Sequence, residues 1–138
     1  MSRKHAFILS FLITGLIASN YFLLTSFQTQ QLLETVLVSR IIDGDTLVLQ
    51  DGRKIRLLNI NAPEKSSHLH ENSLSHLKQL ENKSIQLDIV STDKYSRSLA
   101  RVYIPEYLNL ELVNLGFASK FLVDPKELKL FANAELSA

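Results

Sequence analysis

The chain has 138 residues, a formal net charge of +1 and no cysteine. That length gives one domain of ordinary size with one core, and the missing cysteines exclude a disulfide scaffold and a thiolate metal site. The near-neutral charge excludes a general polyanion binder, so any affinity for phosphate has to come from a local site.

The chain opens with a positive segment, Arg3 and Lys4, followed by residues 6–27, which are apolar and uncharged. This is the pattern of an export signal or a signal anchor. Those 22 residues are long enough to span a bilayer as a helix. Ser19 and Asn20 interrupt the run and no A-x-A cleavage site follows, so an uncleaved anchor is favoured and a cleaved signal peptide stays open. The positive-inside rule puts the N-terminus in the cytoplasm and the rest outside, anchored or secreted. Without residues 1–27 the chain carries 13 Lys+Arg against 14 Asp+Glu, a net of −1.

Residues 28–34 read as a polar linker and 35–138 as the folded domain. Residues 35–42 are rich in β-branched side chains and predict a strand. Residues 46–50 predict a second, with Leu47 and Leu49 on one face. Asp51-Gly52 predicts a two-residue type I′ hairpin turn. Residues 53–59 return as a third strand, with Ile55 and Leu57 on one face and Lys54 and Arg56 on the other. Asn61-Ala62-Pro63-Glu64 breaks it, and 67–82 predicts a helix with Leu69, Leu74, Leu77 and Leu80 as its apolar stripe. Residues 84–90 and 99–104 predict two more strands around a polar turn at 93–97. A short helix follows over 108–115, stopped by Gly116. Asp124-Pro125 predicts an N-cap with proline at N1 of a last helix.

Three strands, a helix, two strands and further helices give an α+β, mainly β fold. It is a five-stranded OB-fold barrel with about three helices, preceded by one N-terminal hydrophobic helix. Within it, the hairpin over 42–64 brings its outer ends together. That gathers Asp43, Asp45, Arg56 and Glu64, a set suited to metal-assisted attack on a phosphate. Asp45 at a turn can bind a hard cation through oxygen, and Pro63 stiffens the loop presenting Glu64. The histidines read differently: His68 and His70 are two apart, and with His76 they lack the i, i+4 spacing of a metal pair. Tyr95, Tyr103 and Tyr107 can stack on bases, but half-buried packing is the better reading of them. Arg101 reads as a structural or substrate-side residue.

Four segments in order, Ile42-Asp-Gly-Asp-Thr46, Arg56-Leu-Leu, Asn61-Ala-Pro-Glu64 and Asp93-Lys-Tyr-Ser-Arg97-Ser-Leu-Ala, resemble the staphylococcal nuclease family. The resemblance implies an OB-fold with three helices and calcium-dependent cleavage of DNA and RNA phosphodiesters, leaving 3′-phosphate products. It implies Arg56, Glu64 and Arg97 as catalytic residues and Lys94 and Tyr95 as substrate contacts. It further implies Ca2+ held by Asp45, Asn61 and the Ala62 carbonyl, with Asp43 and Thr46 in support, and a monomer is expected. Two positions depart from the family pattern. Asn61 stands where a second aspartate ligand is usual, and an amide brings no charge, so weaker calcium binding is expected. Ser96 stands where glycine is usual, at a cost of roughly 1 kcal/mol if positive φ is needed there. The last helix is also expected to be short, which would remove burial worth several kcal/mol at about 25 cal/mol per Å². The alternative is a catalytically weakened OB-fold module that binds nucleic acid, though a binder has no need of Glu64.

Overall fold

Alternation of apolar and polar residues drives most of the architecture. The structure, a computed structural model, describes residues 3–27 and 33–138, and within the first helix the side chains at 4, 7 and 11–21. It divides into two units, Met1–Leu32 and Leu33–Ala138. The first contributes helix α1 (Arg3–Phe27), as expected for the apolar run. Among the described residues no helix is long and apolar enough to cross a membrane. The expected linker over 28–34 lies outside the described residues as far as residue 32.

In the second unit, β1 (Glu34–Asp43), β2 (Thr46–Leu49) and β3 (Lys54–Leu57) form an antiparallel meander. The short β4 (Ile60–Asn61) follows, then α2 (His70–Lys78), β5 (Ser84–Thr92) and β6 (Ser98–Ile104). The chain continues through β7 (Glu106–Tyr107), α3 (Leu108–Asn114), β8 (Ser119–Lys120) and α4 (Leu128–Ser137). The strands are ordered β3-β2-β1-β5-β6-β7, and β3 also pairs with β6 in parallel, which closes a five-stranded barrel. This is the α+β, OB-like barrel the sequence leads to. Val38, Leu47, Leu49, Ile55, Leu57, Ile85, Leu87 and Val102 point inward and are fully buried, with Leu77 of α2, Leu112 of α3 and Phe131 of α4 capping them. Buried Asn109 braces the closing seam: its amide donates to the Leu58 and Ala100 carbonyls and accepts from the Val102 N–H.

Three local expectations are corrected. The β2–β3 hairpin has no type I′ turn, because Gly52 alone of its loop residues takes a positive φ, +90°. Gly52 N–H donates to the Leu49 carbonyl and Leu49 N–H to Arg53, a three-residue loop ending in a left-handed glycine. The helix expected over 67–82 is shorter, His70–Lys78, with turns on either side. The last helix begins at Leu128 rather than Pro125. Asp124 accepts the Lys126 and, through its carbonyl, the Glu127 N–H, closing a single turn before the helix instead of capping it. The stop after α3 is as expected: Gly116 has φ +69° and the Phe117 N–H reaches back to the Leu112 carbonyl.

Candidate active site

Bulges in β1 at 38–40 and 41–43 bend that strand, the second immediately before the turn into β2. The Asp43 carboxylate accepts the Asp45 N–H at 3.1 Å, closing the turn. Asp45 is thereby pointed inward and is 7% exposed. Its Oδ1 accepts the Thr46 hydroxyl at 2.9 Å and its Oδ2 the Ala62 N–H at 2.8 Å. Gly44 has to be glycine here: a Cβ would lie 2.2 Å from Ser73 Oγ and 2.9 Å from Ala62 Cβ.

Arg56, from β3, meets the same carboxylate, with Nη2 at 3.1 Å from Asp45 Oδ2. That nitrogen also donates to the Ile60 carbonyl at 2.9 Å and to Asn61 Oδ1 at 3.2 Å, while Nη1 donates to the Leu57 carbonyl at 2.8 Å. The guanidinium is thus fixed on one side by the chain that follows it. Burial pulls Arg56 below its usual pKa, opposed by Asp45 and reinforced by nearby Arg97. Burial likewise pushes the Asp45 carboxyl up, more than the Ala62 N–H and Arg56 pull it down. Each charge is therefore undercompensated by its neighbours.

The other side of Arg56 opens into a cleft of about 520 Å³. Lys94, Tyr95 and Arg97 line it, with Leu99 and the pair Phe121 and Leu122. Arg97 is carried by the 93–97 turn, where the Asp93 carboxylate accepts the Tyr95 and Arg97 N–H groups at 2.9 and 3.0 Å. Arg97 Nε and Nη2 both lie 2.8 Å from Asp93 Oδ2, so the guanidinium is folded back on its own turn. Burial alone would raise Asp93, but these hydrogen bonds from Arg97 and Tyr95 hold it below the usual carboxylate range. Ser96 has φ +61°, the left-handed conformation that glycine adopts without strain. Tyr95 is exposed and carries Lys94 Nζ 5.0 Å and Arg97 Cζ 5.5 Å from its ring centre.

Asp43, Asp45, Thr46, Arg56, Asn61 and Ala62 thus form one hydrogen-bonded corner. Arg56, Lys94, Tyr95 and Arg97 share one cleft. Glu64 joins neither: its side chain is exposed and has no hydrogen-bond or ion-pair partner among the described residues. Phe121 and Leu122 were not foreseen as cleft residues. Their only local signal is two adjacent exposed apolar side chains, one of them, Leu122, at φ +46°.

The donor set at the corner suits a hard cation. It consists of the Asp45 carboxylate, the Asn61 amide oxygen and backbone carbonyls, without thiolate or imidazole. The raised Asp45 is a carboxylate short of positive charge. Among the described residues no three His, Cys, Asp or Glu side chains are grouped to hold a metal. A cation here would therefore draw on amide, carbonyl and water oxygens beside Asp45, and share Asp45 and Asn61 with Arg56.

Residues 54–138 match the sequence model of a family described as "Staphylococcal nuclease homologue". Similar proteins include an uncharacterised endonuclease of Escherichia coli O157:H7, 39% identical over 59% of this chain and 57% of its own length. A second, from Haemophilus influenzae, is 38% identical over 73% of this chain and 62% of its own. A thermonuclease of Staphylococcus intermedius is 32% identical over 68% and 64%. The chain thus spans roughly three fifths of the length of these relatives.

Proposed function

Because the chain belongs to the staphylococcal nuclease family, we propose that it is a calcium-dependent nuclease that hydrolyses phosphodiester bonds of DNA and RNA and leaves 3′-phosphate ends. The observation that carries this reading is Arg56. It is pinned between Asp45, Asn61 and backbone carbonyls on one side and opens on the other into the cleft it shares with Arg97. A guanidinium held in this way presents fixed donors to phosphoryl oxygens, which stabilises negative charge as it develops. Arg97 supplies the second clamp, released from or shared with Asp93, while Lys94 and Tyr95 receive the adjoining phosphate and base. A water attacks phosphorus in line and Glu64 takes its proton, which requires the carboxylate to come within hydrogen-bond reach of that water. The bond to the 5′-oxygen breaks, the leaving oxygen takes up a proton, and the phosphate stays on the 3′ side. Calcium, when bound, would be held by Asp45, Asn61 and the Ala62 carbonyl and would offset charge on the phosphate.

The exposed Glu64, without a partner and outside the cleft, favours a second reading: a module that binds nucleic acid and cuts it poorly. One experiment separates the two. The protein is incubated with end-labelled single-stranded DNA and RNA in calcium and then in chelator, and the product ends are identified. The nuclease reading expects cleavage in calcium only, with 3′-phosphate ends. Binding without cleavage supports the module, and cleavage that persists in chelator contradicts calcium dependence. We also propose that residues 1–27 direct export or anchor the chain, facing outward. The support is Arg3 and Lys4 ahead of 22 uncharged residues, and cell fractionation of a tagged protein tests it.

A further inference from the structure

We infer that His70 is a positioning residue for Glu64, and that one face of α2 sets the spacing between the two halves of the reaction centre. The inference rests on the reading of Glu64 as the base. His70 Nδ1 lies 3.2 Å from the Pro63 carbonyl oxygen. A carbonyl only accepts, so Nδ1 carries a proton and donates it to the Pro63 oxygen. That oxygen belongs to the peptide unit joining Pro63 to Glu64. The next peptide unit, from Glu64 to Lys65, is held through its own carbonyl by the Ser67 N–H at 2.8 Å. The planes on both sides of Glu64 are thus fixed, and two fixed planes fix φ and ψ between them. The direction of the Glu64 Cα–Cβ bond follows, although the carboxylate itself has no partner. His70 is the side chain in this arrangement; the other anchor is backbone.

Ser73 lies three residues further along α2, on the same face. Its Oγ approaches the Gly44 carbonyl at 3.4 Å and packs against Gly44. Gly44 sits between Asp43 and Asp45. The same helix face therefore touches the backbone of the loop carrying Glu64 and of the turn carrying Asp45. A rigid helix is a fixed ruler, and catalysis by a base depends on placement: a displacement of about 1 Å can cost about a hundredfold in rate.

The test compares His70→Leu, His70→Asn and His70→Gln in the full chain, reading kcat and KM for single-stranded DNA in calcium together with Tm. The Asn amide nitrogen stands near the position of Nδ1 and can donate to Pro63. The Gln amide reaches toward Nε2 instead and cannot. His70→Leu and His70→Gln are expected to lose about ten- to a hundredfold in kcat with KM nearly unchanged, and His70→Asn to recover most of it. If Leu does not fold, the Asn–Gln comparison decides alone. Equal kcat for Asn and Gln, or parental kcat for Leu or Gln, overturns the inference. Glu64→Gln is run beside them. If it abolishes turnover while the His70 variants stay parental, only this inference fails; if Glu64→Gln keeps parental turnover, the reading of the site fails with it.

Discussion

Arg56 and Arg101 both sink into the barrel wall and both meet carboxylates, yet their surroundings treat them in opposite ways. Arg101, on β6, donates from Nε to both Glu127 oxygens at 3.2 Å, from Nη2 to Glu127 at 3.0 Å and from Nη1 to Asp88 at 3.0 Å. The Glu127 hydrogen bonds hold its pKa above the usual value. Glu127 is further tied to the Asn59 amide at 2.6 Å. This cluster fastens the turn before α4 to β5, β6 and the chain after β3. Arg56 and Asp45, by contrast, are both shifted toward their neutral forms by burial. Pairs that hold a fold together satisfy their charges. A pair left undercompensated beside an open cleft has charge to offer a ligand, and this is where function is to be sought.

The comparison can be broken from either side. Arg101→Met removes the cation that Asp88 and Glu127 share and is expected to destabilise by about 3–5 kcal/mol, measured by urea unfolding. Turnover per folded molecule should stay near parental, and a selective loss of turnover would erase the distinction. Arg97→Ala is expected to lower kcat by about 10²–10³-fold with little change in Tm, because among the described residues the Arg97 side chain bonds within its own turn. Asn61→Asp restores a charge to the oxygen set, so calorimetric titration should show calcium binding about tenfold tighter, the change expected when a neutral ligand becomes charged. Ser96→Gly should stabilise by about 1 kcal/mol in thermal unfolding by relieving positive φ.

The smallest effect is on the acid side. The hydrogen bonds from Arg97 and Tyr95 outweigh burial and hold Asp93 below the usual carboxylate range. Its contribution to the turn is therefore fully present above that range and lost as pH falls through the lower folded value. The Tyr95 and Arg97 amide signals in an NMR titration should move together in that range, and Asp93→Asn should abolish the step.

The barrel was legible because inward residues recur at every second position in stretches such as Ile55 and Leu57 or Ile85 and Leu87. Positive φ at Ser96 was raised only as a condition by the family resemblance, which has glycine at that place; a serine in a turn does not signal it by itself. What could not be read were choices made by distant partners. Asp51 and Gly52 fit a tighter turn, but the strand pairing gave left-handed φ to Gly52 alone. Asp124 has the chemistry of an N-cap, yet its carboxylate closes a turn of its own, because Glu127 is held by Arg101, 26 residues earlier. His70 has no metal-ligand spacing and nothing in the sequence marks another role; its partner is a single carbonyl seven residues back. Phe121 and Leu122 face the cleft only because the Phe121 N–H is bound to the Asn59 carbonyl across the fold.

The most direct measurement is single-turnover cleavage of an end-labelled single-stranded DNA in calcium by the parent chain and Arg56→Ala, under conditions where both are folded. The account predicts a rate loss of about 10²–10³-fold for Arg56→Ala, and none in chelator, where both are inactive. A parental rate for Arg56→Ala would contradict the assignment of the Asp45–Arg56 corner as the reaction centre.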